Sequence, residues 1–189
     1  MKAFRRSVAA EVEKTGAFPW LDVCCGTGLQ LRGLGPGRKG PAAVGLDLNP
    51  GMIRYAAARA PDRPFIRGDA ALLPFRSGSF RAVTVSFGLH DKSPAIREAM
   101  LVEAGRVLAE GGKLVTVDFE IPWDGPSRAG ALFTRAIERM AGGDHCRNGR
   151  VFLRRGGLRA FLREHGWIET RRRNVAAGSI GIVVGRPGP

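Results

Sequence analysis

The sequence predicts an α/β domain built on a mostly parallel sheet that ends in an antiparallel hairpin. Along the 189 residues, short apolar runs alternate with helical patterns, which favours parallel strands joined by helical crossovers that cover both faces of the sheet. The last two apolar runs are separated only by the segment AAG at 176–178, which is long enough for a hairpin and too short for a helical crossover. No internal repeat indicates a second domain, so we expect one domain over residues 1–189.

Seven strands are expected along the chain. The first two are separated by GLGPGRKGP, whose Gly and Pro residues indicate a loop. The others are further apolar runs of strand length. The expected strands cover residues 20–25, 42–48, 64–68, 80–87, 113–119, 168–175 and 179–184.

Helices are expected between these strands, and a short one is expected before them, within residues 1–18. One helix begins near Leu29, directly after the first strand. Asn49 is the expected N-cap of another, with Pro50 at its first position. Gly111 and Gly112 are expected to end a third. Apart from the helix near Leu29, the expected helices cover about residues 3–14, 50–60, 93–109, 127–141 and 153–165.

The composition indicates a cytoplasmic protein. No apolar run approaches the roughly 20 residues that a membrane-spanning helix needs. Glu11, Glu13 and Lys14 interrupt the N-terminal apolar stretch, which therefore lacks the core of a signal peptide. Three cysteines, two of them adjacent, do not make a disulfide framework, in agreement with a reducing compartment.

The chain is strongly basic, with a formal net charge of +13, and 25 of its 30 basic residues are arginine. Twelve of the arginines lie between Arg128 and Arg173, where only four acidic residues face them. This asymmetry fits an anionic partner, such as nucleic acid, an anionic membrane surface or an acidic substrate. It fits equally well a solvated basic surface in a protein from a GC-rich genome, because net charge constrains association rather than chemistry.

A glycine turn follows the first expected strand, in LDVCCGTGLQ at 21–30. Open α/β sheets bind ligands at the carboxyl ends of their strands. Gly26 and Gly28 would let the chain turn tightly and let a ligand approach the backbone, beside the N–H groups of the following helix. The full dinucleotide pattern G-x-G-x-x-G is not met, because Leu31 stands at the third glycine position.

Two aspartates follow at the next strand ends. Asp47 ends the second strand about twenty residues after the glycines, where a carboxylate can accept hydrogen bonds from both ribose hydroxyls of a nicotinamide or an adenosyl cofactor. Asp69 ends the third strand, where it could accept a hydrogen bond from an adenine amino group. Three such strand ends in succession indicate a nucleotide-like cofactor.

Four segments resemble the successive motifs of class I S-adenosylmethionine-dependent methyltransferases: LDVCCGTGLQ, VGLDLNPGMI, GDAALLPFRSGSFRAVTVSFGLHD and EAGRVLAEGGKLVTVDFEIP. Within that superfamily they most resemble the ubiquinone/menaquinone biosynthesis C-methyltransferases, over about residues 18–186. The resemblance implies a Rossmann-like, seven-stranded, mostly parallel sheet with helices on both faces. It also implies S-adenosyl-L-methionine as cofactor, S-adenosyl-L-homocysteine as product, and a small aromatic or quinone-like acceptor.

The same resemblance implies a role for each motif residue. Met52, however, is equally well explained as an ordinary core residue of its helix. The implied cofactor contacts are Asp22, Gly26, Thr27 and Gly28 for the methionine moiety, Asp47 for the ribose, Leu48, Met52, Asp69 and Ala70 for the adenine, and Ser86 and Phe87 for the region of the methyl group.

His90, in FGLHD after the fourth strand, is the best-placed candidate for a catalytic base. Methyl transfer from a sulfonium is an in-line displacement, so positioning and desolvation are the main tasks of the protein. Methylation at an aromatic carbon also benefits from deprotonation of the ring hydroxyl, to which a histidine is suited. His90 fits a merely pocket-shaping role equally well. Asp91 and Asp118 are weaker candidates that could instead cap a helix or orient a neighbour.

The cysteines are interpreted as structural, and no metal site is expected. Class I enzymes often carry Gly-Cys at positions 24 and 25, so Cys25 is usual and Cys24 replaces a glycine. Buried thiols behave as small hydrophobes. Asp144, His145 and Cys146 are adjacent and match no zinc spacing, and we interpret them as loop residues near the pocket mouth.

Two departures from the quinone-type pattern bear on the acceptor and not on the cofactor. Only 18 residues precede Pro19, whereas the family has a longer helical extension that covers the site; a partner subunit, as in a homodimer, could take its place. His90 and Asp91 stand where the family commonly has Arg-Asn. The alternatives are an RNA methyltransferase, an arsenite methyltransferase that uses the three cysteines, and a cofactor-binding protein without catalysis.

Overall fold

The computed structural model describes residues 18–33, 43–121 and 144–189, together with residues 8, 11 and 12. The strands are β1 (Trp20–Val23), β2 (Ala43–Asp47), β3 (Phe65–Arg67), β4 (Phe80–Ser86), β5 (Leu108–Phe119), β6 (Trp167–Val175) and β7 (Ile180–Pro187). The helices with described bounds are α1 (Leu29–Arg32), α2 (Pro50–Arg59), α3 (Pro94–Val107), α4 (Asp144–Arg154) and α5 (Gly157–Glu164).

The seven strands form one sheet in the order β3-β2-β1-β4-β5-β7-β6. The first five strands in chain order are parallel, whereas β7 runs antiparallel to both β5 and β6. The predicted parallel sheet with a final hairpin is therefore confirmed. The strand order reverses between β1 and β4, and open sheets of this kind bind ligands outside the carboxyl ends of the strands at such a point.

The sheet separates two hydrophobic cores. Successive side chains of a strand point to opposite faces, so Leu21 and Val23 of β1 join one core while Trp20 joins the other. The first core includes buried side chains of α3, α4 and α5, and the second includes Leu31 of α1 and Val8. Helices on both faces are therefore confirmed.

The start of α2 agrees with the prediction in detail. The side chain of Asn49 accepts hydrogen bonds from the backbone N–H groups of Gly51 at 2.8 Å and Met52 at 3.3 Å. Pro50 occupies the first turn, where its missing N–H leaves no donor unsatisfied. The cap therefore lies two residues after Asp47, the last residue of β2.

The helix predicted over 93–109 ends earlier than expected. Leu108 is already extended, and it pairs with Phe80 of β4 at the start of β5. Gly111 has a positive φ of 72°, and the β4–β5 register shifts nearby. The prediction that Gly111 and Gly112 end this helix is wrong, because the buried pairing of Leu108 takes precedence over helix propensity.

The single helix predicted over 153–165 is wrong as well, since two helices, α4 and α5, occupy this region. Gly156 separates them with a φ of 98°, and a Cβ at this position would lie 2.6 Å from the Cβ of Ala160. The segment that holds Cys146 belongs to α4. Its interpretation as a loop is therefore wrong. The helix expected over 127–141 lies outside the described residues, and of the one expected over 3–14 only residues 8, 11 and 12 are described, all of them helical.

Candidate functional site

Two cavities open at the carboxyl ends of the parallel strands, and Cys24 and Phe87 line both of them. The larger has a volume of about 600 Å³, and residues after β2, β3 and β4 form its walls, including Asp47, Leu48, Asp69, Ala70, Gly88, Asp91, Lys92, Ile96 and Met100. The smaller has a volume of about 210 Å³, and its other lining residues are Asp22, Cys25, Gly26, Thr27, Gln30 and Ser86.

Most of the expected cofactor contacts line one of these two cavities. Gly28 and Met52 line neither. Met52 is 40% exposed, so its interpretation as a core residue is wrong. The contacts that line a cavity are Asp22, Gly26, Thr27, Asp47, Leu48, Asp69, Ala70, Ser86 and Phe87.

The two glycines of the turn after β1 have different functions in the structure. Both have positive φ, 54° for Gly26 and 69° for Gly28. A Cβ at Gly26 would meet nothing within 4 Å, whereas a Cβ at Gly28 would lie 2.7 Å from the ring of Phe65 and 3.0 Å from the Cβ of Ala56. Gly26 therefore leaves open space beside the backbone, and Gly28 allows close packing of the turn against β3 and α2.

Asp47 connects the turns that follow β1 and β2. Its Oδ2 accepts a hydrogen bond from the backbone N–H of Gly26 at 2.8 Å, and its Oδ1 accepts one from that of Asn49 at 2.9 Å. A carboxylate has about four lone-pair sites. Each oxygen can therefore accept a further donor from the larger cavity.

Asp22 is fixed by a chain of hydrogen bonds across β1 and β4. Its Oδ1 accepts from the hydroxyl of Thr84 at 2.6 Å, and that hydroxyl accepts from the indole N–H of Trp20 at 2.9 Å. Only 1% of Asp22 is exposed. The structure therefore holds a carboxylate rigidly at the wall of the smaller cavity.

Gln30 also lines the smaller cavity, and the sequence interpretation did not include it. Its side-chain amide donates to the hydroxyl of Ser86, while its Oε1 has no hydrogen-bond partner among the described residues although the side chain is buried. A buried acceptor without a partner costs about 1–3 kcal/mol. No local signal in the sequence indicates Gln30, because its bond to Ser86 joins residues that are 56 positions apart.

The residues after β3 are held at a tight turn. The carboxylate of Asp69 accepts a hydrogen bond from the backbone N–H of Ala71 at 2.9 Å. Asp69 itself is exposed, and the buried Ala70 also faces the cavity. Leu48, across the cavity mouth, is 60% exposed, so an apolar surface remains available there for a flat ring.

His90 lies on the loop after β4 and lines neither cavity, although its neighbours Asp91 and Lys92 line the larger one. Its ring Nδ1 donates to Oδ1 of Asp118 at 2.7 Å, and its edge packs against Phe119, with 4.5 Å between ring centroids. With Nδ1 engaged as the donor, the neutral ring keeps Nε2 as its acceptor.

The pKa of His90 is raised by the balance of opposing effects. Burial lowers the pKa, but the charge of Asp118 and its hydrogen bond raise it by more, and Asp91 raises it further against the opposing charge of Lys92. The imidazole therefore stays protonated up to a higher pH than the ring of an exposed histidine. It becomes a base only above its raised pKa.

Both cysteines of the turn are protonated thiols. Burial raises the pKa of Cys24 to about 12 and raises that of Cys25 as well. The sulfur of Cys25 packs beneath the turn, 3.0 Å from where a Cβ at Gly45 would stand. Thiolates, not thiols, attack electrophiles or bind metals. Within residues 18–33, 43–121 and 144–189 no group of three or more His, Cys, Asp or Glu side chains is arranged to hold a metal ion.

Cys24 has a φ of 57°, in the left-handed region that glycine prefers. Its side chain approaches the loop after β4, because a Cβ at Gly88 would lie 3.0 Å from both the Cβ and the sulfur of Cys24. The glycine that the resemblance leads one to expect at position 24 would suit this backbone without strain. The cysteine instead narrows the junction of the two cavities.

Of the helices that the structure describes, none combines the length and apolar character needed to cross a bilayer.

Comparison with known sequences identifies the family. A family model described as "Methyltransferase domain" matches residues 21–116. The demethylmenaquinone methyltransferase of Beutenbergia cavernae is 34% identical over 187 residues, which covers 92% of this chain and 76% of that protein. The enzyme of the same name from Renibacterium salmoninarum is 33% identical and covers 90% and 76%, respectively.

Solved structures share the fold at low sequence identity. The PH0226 protein of Pyrococcus horikoshii has a TM-score of 0.66 at 19% identity, over 96% of this chain and 90% of that one. Magnesium protoporphyrin IX methyltransferase from Synechocystis, solved with bound S-adenosylhomocysteine, has a TM-score of 0.65 at 17% identity, over 98% and 83%. With the family match, these comparisons lead to one conclusion: the chain belongs to the S-adenosylmethionine-dependent methyltransferases, and S-adenosylmethionine is its cofactor.

Proposed function

We propose that this protein methylates a ring carbon of a quinol, the reduced form of a quinone, by base-assisted transfer from S-adenosylmethionine. The observation that carries the proposal is the hydrogen bond from His90 to the buried Asp118, because it leaves Nε2 as the acceptor of a histidine whose loop neighbours Asp91 and Lys92 line the larger cavity. The named activity of the relatives from Beutenbergia and Renibacterium supports the quinone-type acceptor.

The residues present fit the cofactor. The amino group of the methionine moiety has only hydrogen-bond donors. The unpartnered Oε1 of Gln30 and the carboxylate of Asp22 are acceptors that suit it. The open side of Gly26, next to Thr27, leaves room for that moiety along the backbone, and the close packing of Gly28 against Phe65 fixes the turn. These residues would hold the methionine end of the cofactor in the smaller cavity.

The larger cavity suits the adenosine portion. Asp47 would accept hydrogen bonds from the two ribose hydroxyls, since each of its oxygens has a free lone pair. Leu48 and Met52, both exposed, would cover one face of the adenine. Asp69 and the backbone N–H of Ala70 would bind its polar edge. At about 600 Å³, the cavity is large enough for this portion together with part of an acceptor.

The methyl group would then lie where the two cavities meet. Cys24 and Phe87 line both cavities, and Ser86 stands beside them at the end of β4. Bound S-adenosylmethionine supplies an electrophilic methyl group on a sulfonium, which a nucleophilic carbon attacks in line. The apolar walls exclude water from this region, which favours a carbon nucleophile over hydrolysis.

His90 would activate the acceptor. Asp118 holds the Nδ1–H of His90, so the Nε2 of the histidine can take the proton of a ring hydroxyl and raise the electron density of the ring. After the ring carbon has taken the methyl group, it would lose its hydrogen as a proton to solvent, and the oxygen would regain a proton from His90, which restores the aromatic quinol. The carboxylate of Asp118 is already occupied, because it accepts hydrogen bonds from the backbone N–H groups of Leu89, His90 and Phe119. It therefore orients His90 and stabilises its protonated form.

Two alternative functions have less support. An RNA methyltransferase would use the basic strand β6, but Arg171 is paired with Glu11 at 2.7 Å and Arg172 with Glu120 at 2.6 Å, which reduces the charge available to phosphates. An arsenite methyltransferase needs reactive thiolates, whereas burial raises the pKa of Cys24 to about 12.

The proposal is tested by incubating the purified protein with S-adenosylmethionine, labelled in the methyl group, and a naphthoquinol. This naphthoquinol is a short-chain demethylmenaquinone that has been chemically reduced. We expect label in the ring carbon of the naphthoquinol and none when the same quinone is left oxidised, because only the quinol has hydroxyl groups to deprotonate. Binding of S-adenosylhomocysteine without methylation of the quinol would overturn the acceptor and leave the cofactor assignment intact.

A further inference from the structure

The loop that carries His90 is held by side chains from two helices, the adjoining α3 and the distant α4. Arg97 of α3 is 2% exposed, and its Nη2 donates to the backbone carbonyl oxygens of Lys92 at 2.6 Å and His90 at 3.5 Å. The side-chain amide of Asn148, on α4, donates to the carbonyl oxygen of Asp91 at 3.0 Å. Three successive carbonyl groups of the loop are thus bound by two side chains.

Arg97 and Asn148 are also joined to each other. The same Nη2 of Arg97 donates to the backbone carbonyl of Asn148 at 3.3 Å. The guanidinium stacks 4.9 Å from the ring centroid of Phe152 and 5.9 Å from that of Phe161. A planar guanidinium between aromatic faces has a defined orientation that an ammonium group lacks. Arg97 therefore fixes α3, α4 and the loop in one arrangement.

The bonds from Arg97 complement those from Asp118. Asp118 binds the backbone N–H of His90 at 3.2 Å and its ring Nδ1 at 2.7 Å, from the side of the sheet. Arg97 binds the carbonyl of the same residue from the side of the helices. With both backbone groups and one ring nitrogen held, the direction of Nε2 is determined by the protein before any acceptor enters.

We propose that Arg97 is a positioning residue that, with Asn148, fixes the loop 89–92 so that His90 is aimed at the methyl acceptor. This inference rests on the proposed role of His90 as the base. A displacement of about 1 Å in a reacting group can reduce a rate about 100-fold. Loss of the guanidinium should therefore lower the rate of methyl transfer and leave the cofactor bound as before, since Arg97 lines neither cofactor cavity.

The test compares Arg97→Met with Arg106→Met, a matched control on the same helix. Arg106 also donates to two backbone carbonyls, those of Phe75 at 2.8 Å and Leu73 at 3.0 Å, but on a different loop. We expect Arg97→Met to lower kcat on the reduced naphthoquinol at least about tenfold, with the dissociation constant of S-adenosylhomocysteine within about twofold of wild type. Arg106→Met should keep its kcat.

Hydrogen exchange supplies a readout that needs no acceptor. The amides of Leu89 and His90 donate to Asp118, so in Arg97→Met we expect their protection to fall at least about tenfold, with no such fall in Arg106→Met. If the wild type does not methylate the quinol, the proposed function fails, and the exchange data still decide whether Arg97 fixes the loop. Should Arg97→Met not fold, Asn148→Ala, which removes one bond, takes its place with a smaller effect of the same sign.

Unchanged kcat and unchanged exchange protection in Arg97→Met would overturn the inference. Equal losses of kcat and of S-adenosylhomocysteine affinity would overturn it too, because they would indicate general damage to the fold. Arg97→Lys distinguishes charge from shape. We expect only partial recovery of kcat in this variant, because a lysine cannot reproduce the planar contacts with Phe152 and Phe161.

Discussion

Asp118, at the end of β5, accepts hydrogen bonds from both the ring and the backbone N–H of His90, at 2.7 and 3.2 Å, on the loop that follows β4. The two strands are parallel neighbours, so their carboxyl ends meet at one edge of the sheet. The pair joins a buried carboxylate to a titratable ring. The chemistry of the proposed base is therefore set by a residue that never needs to touch the acceptor.

Replacement of Asp118 by Asn should move the pH dependence of methyl transfer. Asp118 raises the pKa of His90 against the effect of burial, so its neutral isostere should lower that pKa. His90 must be neutral to accept a proton, and the acidic limb of kcat should therefore shift to lower pH. The maximal rate should fall by about 10²-fold, since the ring loses its orienting partner. A pH profile with the reduced naphthoquinol measures both, and an unshifted limb would contradict the role given to Asp118.

His90 should stabilise the folded protein more at acid pH than at alkaline pH. Its folded pKa is raised above the unfolded value of about 6.5. Its contribution is therefore fully present below that unfolded value and is lost as the pH rises through the folded pKa. Urea unfolding of wild type and His90→Gln at about pH 5.5 and about pH 9 should show the larger loss of stability at the lower pH. The reverse order would refute this sign.

Asp47→Ala should weaken binding of S-adenosylhomocysteine by at least about 100-fold, because two hydrogen bonds to a charged group contribute about 3 kcal/mol or more. Asp47→Asn should lose less, because it keeps one acceptor oxygen. Isothermal titration calorimetry measures the dissociation constants. Asp62→Ala is the control, since Asp62 is 72% exposed and forms an ion pair with its neighbour Arg63. Equal affinity of Asp47→Ala and wild type would rule out the ribose contact.

Gln30→Met should separate stability from cofactor affinity. It removes the buried Oε1 that has no hydrogen-bond partner within the described chain together with the amide that donates to Ser86. These losses have opposite effects on stability, so the unfolding temperature without cofactor should change little. The affinity for S-adenosylhomocysteine should fall about tenfold, because the amino group loses an acceptor. Thermal unfolding with and without S-adenosylhomocysteine reports both effects. A variant that binds as tightly as wild type would exclude Gln30 from the site.

Gly88→Ala should destabilise the protein, and Cys24→Gly should suppress part of that effect. A Cβ at Gly88 would lie 3.0 Å from both the Cβ and the sulfur of Cys24 and 3.1 Å from Cγ1 of Val85. Cys24→Gly removes the first two of these contacts and leaves the third. The glycine also relieves the positive φ of 57°, worth about 1 kcal/mol. A double-mutant cycle by urea unfolding measures the coupling. Additive effects would show that the two side chains do not meet.

The local pattern of the sequence was enough to predict the strands and the glycine turn that follows β1. Asp47 could be located because it ends an apolar run at a known distance from Gly26. The contact between His90 and Asp118 could not, because it depends on the register of β4 against β5, in which Ser86 pairs with Val117. Such a register is set by pairing between segments that are far apart in sequence.

The differences in the helices have the same origin. The end of α3 at Val107 follows from the burial of Leu108 against β4, which helix propensity does not report. The break at Gly156 could have been suspected from the GG pair, but a pattern of apolar spacing continues across it. Gln30 was missed because its significance lies in a bond to Ser86, 56 residues further along the chain.

The position of β7 has a consequence for the order in which the molecule can assemble. β7 follows β6 in the chain, yet it lies between β5 and β6 in the sheet, and Gly181 pairs directly with Asp118. During synthesis, the strand that carries Asp118 therefore remains an uncovered edge until residues 180–187 have left the ribosome. The edge of the sheet that holds Asp118 is completed only by the last strand of the sheet in chain order, so its formation must wait for a long-range pairing of the slow kind.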